Sequence, residues 1–474
     1  MKRRDFLKKG TVGAASLAVP NNFLHLSPSS PQAQRRNIEV DFSKLSGTIK
    51  PLNGVNGGPL VTRGAFDLSP SFSEIGIKHI RLHDVPWMYD DVIDINYIFP
   101  RFEADENDPK SYDFSLTDFY LKSIRALASK VTFRLGYSAE WRYHPQYNAP
   151  PKDYAKWAAV CAHIVRHYNQ GWANGYHYNI EYWEIWNEPD GHAFWAGTPE
   201  QYYRLYELTA KTLKNIDSSL RIGGPALASN LEFLDGFLKY AAEHGSPLDF
   251  VAWHAYARRP HDVVLKAAKV QELLDRHGFS KVESILDEWN YFPGEWSRQE
   301  NEAEYRKNLF ADQMGGVSGA AFVASVFIYL QDSTVALADF YQGTNLFWGG
   351  LYDEFGVPRK PFFTFKAFKF LLDTPQRVSA SGSGQNGFAT IAGLSDDKSE
   401  ATILISNFGT HYNHYNLSLR GLPWKTSFVY EKYMIDSHHD LDLIRSEKFE
   451  HGTATVSEDV ETPSVCLIRL RSAS

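Results

Sequence analysis

From about Pro51 to Phe370 the chain alternates short β-type runs with helical stretches, and that alternation restricts what it can fold into. The candidate strands are 52–56, 78–83, 131–137, 180–188, 220–225, 250–256, 284–288 and 321–329. Several are continuous apolar runs, as parallel strands covered on both faces require. Between them lie amphipathic segments such as 152–168, where Tyr154, Trp157, Ala158, Cys161, Ile164, Val165 and Tyr168 recur at helical spacing. Pro150-Pro151-Lys152-Asp153 opens that segment and Pro199 opens a second, running to about Ile216. Eight strands alternating with helices imply an α/β fold of the (β/α)8 TIM barrel type, here spanning residues 51–375.

After Pro375 the pattern changes. A Gly/Ser-rich stretch from Ser379 to Gly384 leads into six candidate strands at 387–394, 401–407, 415–419, 427–433, 453–457 and 465–470. Helical periodicity is absent, so residues 376–474 imply a C-terminal β-sandwich accessory domain. In residues 35–50, Ile38, Val40 and Phe42 alternate as one further strand that can join the sandwich.

Residues 1–34 are set apart from the fold. Arg3-Arg4-Asp5-Phe6-Leu7-Lys8 and a modest apolar stretch to Val19 resemble a twin-arginine export signal, which places the mature protein in the periplasm or outside the cell. The segment carries five of the basic residues and one acid, so its removal deepens the formal charge from −7 to −11. That balance argues against a nucleic-acid partner. No run reaches the roughly 18 apolar residues of a membrane-spanning helix. The two cysteines, Cys161 and Cys466, supply neither a disulfide framework nor a structural zinc site.

In a barrel of this kind, chemistry gathers at the C-terminal strand ends. The fourth candidate strand ends Trp186-Asn187-Glu188-Pro189 and the seventh ends Asp287-Glu288-Trp289-Asn290. Two carboxylates facing each other across the barrel mouth suit glycoside hydrolysis. At about 5–5.5 Å separation the second acts as nucleophile and configuration is retained. Glu288 is then the expected nucleophile, and Glu188 the acid/base, held protonated by burial and by the charge of Glu288. Strand parity places Arg81 with His83, and His254 with Tyr256, on inward faces around the pair. Arg81 and Tyr256 can bond Glu288, and His83 and His254 can hold sugar hydroxyls. Asn187 suits the 2-hydroxyl but needs a twist or bulge to turn inward. Glu184 is expected as an interior ion-pair partner of Arg134 or Arg81, and Asp287 should face the helices. Trp186 reads as barrel filling. Tyr291 and Tyr329 are further substrate-binding candidates, with Trp87, Trp289 and Gln331 also possible at the rim. Asp90, Asp91 and Asp94 read as a solvated or capping loop rather than a calcium site. No cofactor or metal is expected.

With Ile80-Arg81-Leu82-His83, Asp90-Asp91, Pro150-Pro151-Lys152-Asp153-Tyr154 with Trp157, and His254-Ala255-Tyr256 added, the chain resembles glycoside hydrolase family 39 over residues 50–330. That family includes β-xylosidases and α-L-iduronidases. The resemblance implies a retaining glycosidase acting on an oligo- or polysaccharide, with an accessory β-domain. Two stretches depart from the family pattern: His83 is followed by Asp84 instead of glycine, and the third strand ends Leu135-Gly136-Tyr137. A sugar-binding protein that keeps the barrel without turnover is the alternative reading.

Overall fold

The computed structural model describes residues 35–61, 66–85, 92–127, 129–137, 148–344, 349–353, 355–424, 426–450 and 454–473. The export leader, Trp87, Asp90 and Asp91 therefore lie outside the described residues. Eight parallel strands close into a barrel in chain order: Gly54–Asn56, His79–Leu82, Lys130–Leu135, Tyr182–Ile185, Arg221–Leu227, Phe250–Ala257, Glu283–Tyr291 and Val335–Phe340. Seven of the eight fall where the apolar runs place them.

The eighth does not. Ala321–Tyr329, read as a strand, belongs to the helix Val317–Tyr329, and the last barrel strand follows at Val335–Phe340. Every residue from Gly319 to Ile328 in that helix is buried. A helix covered all round carries no polar stripe, so its sequence cannot be told from a buried strand by periodicity. Elsewhere the helix starts follow capping chemistry. Asp153 accepts from the Ala155 and Lys156 amides ahead of Tyr154–Gln170. Thr198 and Gln201 form a reciprocal capping box ahead of Pro199–Ile216.

The C-terminal domain is the expected all-β unit, its nine strands joined in one curled, nearly closed sheet. Its two edge strands, Asp440–Glu450 and Ala454–Asp459, approach each other closely enough for Arg445 to pair with Glu458 at 2.5 Å. The curl encloses a core of Ile403, Ile405, Tyr415, Leu417, Phe428 and Ile468. Two of its strands were not read from sequence: Asp440–Glu450, and Gln376–Ala380, which overlaps the Gly/Ser-rich stretch. The strand Arg35–Thr48 inserts between Gln376–Ala380, antiparallel, and His414–Arg420, parallel. Ile38, Val40 and Phe42 point into the core of this domain.

The helix Val317–Tyr329 is wedged between barrel and sheet. Ser406 donates to the Ala321 carbonyl at 2.7 Å, and Ser325 donates to Ser406 at 3.0 Å. This seam lies on the outside of the barrel, away from the polar residues that fill its interior.

Candidate active site

Inward-facing polar residues stack in layers along the barrel axis. Deepest is His79, whose Nδ1 lies 2.7 Å from Asp339 and whose Nε2 lies 3.0 Å from Thr132. Two residues further along the second strand, Arg81 forms the hub of the next layer. Its guanidinium donates to Glu184 at 2.6 Å, Asn187 at 2.8 Å, Asn56 at 3.1 Å and Glu288 at 3.2 Å, and lies 3.1 Å from Asp287. Glu184 is thus the partner of Arg81, while Arg134 pairs with Asp94 at 2.5 Å. Asp94, expected on a solvated or capping loop, is instead buried in that pair.

Asp287 departs from simple alternation. The register between the sixth and seventh strands passes from Leu286 opposite Trp253 to Glu288 opposite His254, leaving Asp287 as the extra residue of a bulge. Both acids consequently face the interior, whereas Trp289 packs outward on Phe327 and Phe340. A different device turns Asn187 inward. The fourth strand ends at Ile185, and Trp186 and Glu188 adopt left-handed φ values of 73° and 45°. Such angles are uncommon for side-chain-bearing residues and are held here by surrounding bonds. Trp186 donates its indole N–H to the Phe194 carbonyl at 2.9 Å, and the Glu188 amide donates to the Ala226 carbonyl at 2.9 Å. Trp186 is fully buried, as barrel filling requires.

The uppermost layer holds the two carboxyls of interest. His254 Nδ1 lies 2.7 Å from Glu188 Oε1 and 3.6 Å from Glu288 Oε2, and one ligand atom from each of the three lies within 4.8 Å of the others. Tyr256 donates to Glu288 Oε1 at 2.5 Å. His83 completes the wall, its Nε2 3.8 Å from Glu288 Oε2. Glu188, His254 and Glu288 are also the one group among the described residues with the spacing to hold a metal ion. Their mutual contacts already use those atoms.

The electrostatics separate the groups. Burial pushes the Glu288 carboxyl up to about 7; His254 and Arg81 pull the other way, and the charge of Glu188 adds to the rise. Despite the bonds from Arg81 and Tyr256, burial keeps Glu288 from ionising until about neutrality. Burial opposes charge on His254, but Glu288, Asp287 and Glu188 outweigh it and raise its pKa well above the usual value. Asp287 is held down at about 2 against its burial, by Arg81 and His254. Burial, with the nearby charge of Arg81 and Arg134, lowers His83 well below the usual histidine range and keeps it neutral.

Two substrate-binding candidates lie elsewhere. Tyr291 faces outward and packs on Phe322 and Phe408, at ring distances of 5.1 and 5.5 Å. Tyr329, carried by the misread helix, donates to the Gly384 carbonyl and accepts from the Gly387 amide at 3.2 Å. Both belong to the seam with the second domain. Gln331 is likewise buried against the Lys50 backbone. Asp84, read from sequence as a departure from the family pattern, stands at the mouth beside Tyr341, which follows the eighth strand and escaped the sequence reading. Correct placement of that strand would have pointed to Tyr341.

A family model described as Glycosyl hydrolases family 39 matches residues 64–347, more than half of the chain. The chain belongs to this family. Over 207 residues it is 32% identical to a β-xylosidase of Geobacillus stearothermophilus, covering 40% of this chain and 38% of that relative. Over 313 residues it is 26% identical to a β-xylosidase of Caldicellulosiruptor saccharolyticus, covering 61% and 57%. The chain thus spans less than two thirds of the length of either curated relative. Among solved structures, a glucosidase from Croceicoccus marinus superposes with a TM-score of 0.79 at 26% identity, covering 93% of this chain and all of that one. A monomeric β-xylosidase from Caulobacter crescentus shares the fold, with a TM-score of 0.72 at 16% identity over 93% of this chain and 100% of that one.

Proposed function

We propose that this protein is a retaining glycosidase that hydrolyses β-xylosides in oligo- or polysaccharides by double displacement. The observation that carries the reading is the approach of the Glu188 and Glu288 carboxyls to within 4.8 Å across the barrel mouth. Inverting pairs stand about 6.5–9.5 Å apart to admit a water, whereas retaining pairs stand closer.

Glu288 attacks the anomeric carbon, and its carboxylate is aligned by Arg81 and Tyr256. The bond to the leaving oxygen breaks as Glu188 delivers a proton to that oxygen. Formation of the glycosyl ester removes the charge on Glu288, so Glu188 becomes a stronger acid and then serves as base toward water. Water attacks the anomeric carbon, breaks the ester and restores both carboxyls. Asn187 Nδ2 is buried and has no hydrogen-bond partner among the described residues, so it is available to a sugar hydroxyl beside the reacting carbon.

The β-xylosidase relatives favour xylose as the sugar, and the glucosidase of similar structure favours glucose as the second reading. Release of aglycone from α- and β-aryl glycosides by the wild type and Glu288→Gln decides between them. Turnover of a β-xyloside, abolished in the variant, supports the proposal. Turnover that survives Glu288→Gln removes the nucleophile assignment, and silence on all aryl and natural glycosides removes the enzyme reading. The twin-arginine segment is proposed to export the protein, which Arg3→Lys/Arg4→Lys fractionation tests by retention in the cytoplasm.

A further inference from the structure

Asp84 follows the second strand directly and stands in the left-handed region, with φ 47°. Aspartate, asparagine and glycine are the residues that visit this region most readily. The turn aims the carboxyl across the mouth, where Oδ2 accepts from the Tyr341 hydroxyl at 3.0 Å and lies 3.4 Å from His83 Nε2. That same His83 nitrogen is 3.8 Å from Glu288 Oε2. The same histidine nitrogen therefore lies between Asp84 and the nucleophile. A third of the Asp84 side chain remains exposed, and among the described residues no group bonds Oδ1.

The surroundings set the charge that Asp84 can meet. Arg81 and Arg134, the cations beside it, are already paired with Glu184 and Glu288, and with Asp94. Burial and the charge of Glu188 raise the Asp84 carboxyl pKa, while Arg134, Tyr341 and Arg81 oppose them. A carboxylate arriving on a sugar meets two further carboxyl groups, Asp84 on one side and Glu288 on the other.

We propose that Asp84 determines specificity by accepting hydrogen bonds from hydroxyls on the far side of the ring whose anomeric carbon sits at Glu288, and by repelling uronic acids. The proposal rests on the glycosidase reading above. It makes the site one for neutral sugars, with selection exerted at the rim and not by the catalytic pair.

Asp84→Asn and Asp84→Gly both preserve the left-handed turn, and their melting temperatures are expected to match the wild type. Each is assayed on an aryl β-xyloside and an aryl β-glucuronide, with binding of free xylose and glucuronate followed by tryptophan fluorescence. Loss of a charged hydrogen-bond acceptor lowers kcat/KM on the neutral glycoside by about 10–100-fold. Removal of the repulsion shifts the xyloside-to-glucuronide ratio toward the uronide by at least about 10-fold. Unchanged ratios in both variants overturn the proposal. If the wild type cleaves no glycoside, the hydrolytic reading fails and the binding arm decides: a preference for xylose that Asp84→Asn erodes upholds Asp84, and an unchanged preference overturns it.

Discussion

Glu288→Gln should abolish activity and, above neutral pH, strengthen the fold. Glu288 is almost fully buried, and its carboxyl is raised from 4.5 to about 7. Each pKa unit corresponds to about 1.36 kcal/mol, so holding Glu288 ionised inside the barrel costs about 3 kcal/mol. The sign follows from linkage. In the unfolded chain the group ionises near 4.5, while in the folded chain it keeps its proton until about 7, so wild-type stability falls as pH rises through that interval. Glutamine keeps the shape without the charge. The stability advantage of the variant should therefore widen by about 2–3 kcal/mol between pH 5 and pH 8. Urea unfolding of both proteins at several pH values, read through each transition, measures the difference. Activity should fall by roughly 10⁴-fold or more at every pH, as expected for loss of a nucleophile. A stability difference that stays flat from pH 5 to pH 8 would refute the electrostatic reasoning, whatever the activity.

Other outcomes follow from neighbouring contacts. Tyr256→Phe removes a bond that favours the Glu288 anion, so the acidic limb of kcat/KM should move to higher pH, as a pH–rate profile will show. Glu188→Gln should slow poor leaving groups by about 10²–10⁴-fold while sparing acidic phenols, which need little proton assistance. Arg81→Lys cannot serve five side chains at once and should destabilise the barrel by about 3–5 kcal/mol, measured by denaturant unfolding. Tyr329→Phe should leave KM and kcat unchanged and lower only the melting temperature, because its hydroxyl serves the domain seam.

The parts of the site that sequence made legible are those where local pattern and global fold agree. Glu188 and Glu288 stand out because strand ends of a barrel are fixed points, and Arg81, His83, His254 and Tyr256 follow by parity from well-formed strands. Asp287 was hidden by a bulge, since inserting one residue lets two successive side chains share a face. Asn187 turns inward through the left-handed Trp186, a conformation no periodicity rule registers. Tyr329 was misplaced for a third reason: a wholly buried helix and a wholly buried strand are equally apolar. The same error displaced the eighth strand and concealed Tyr341. In the second domain, Asp440–Glu450 is largely exposed and lacks the apolar alternation that marks the other strands.

The strand Arg35–Thr48 has a consequence for how the molecule is made. Asn37 bonds Asn416, a partner 379 positions later in the chain. At roughly 5–20 residues per second, a ribosome needs on the order of 20–75 s to supply that partner. During this interval Ile38, Val40 and Phe42 have no sheet to enter, and the whole barrel is synthesised before they do. The nascent chain thus carries a sticky β-edge at its front, which chaperone binding can shield. The same geometry governs dissection of the gene. A fragment ending at Pro375 strands that edge permanently, whereas one beginning after Thr48 removes it along with the domain it completes.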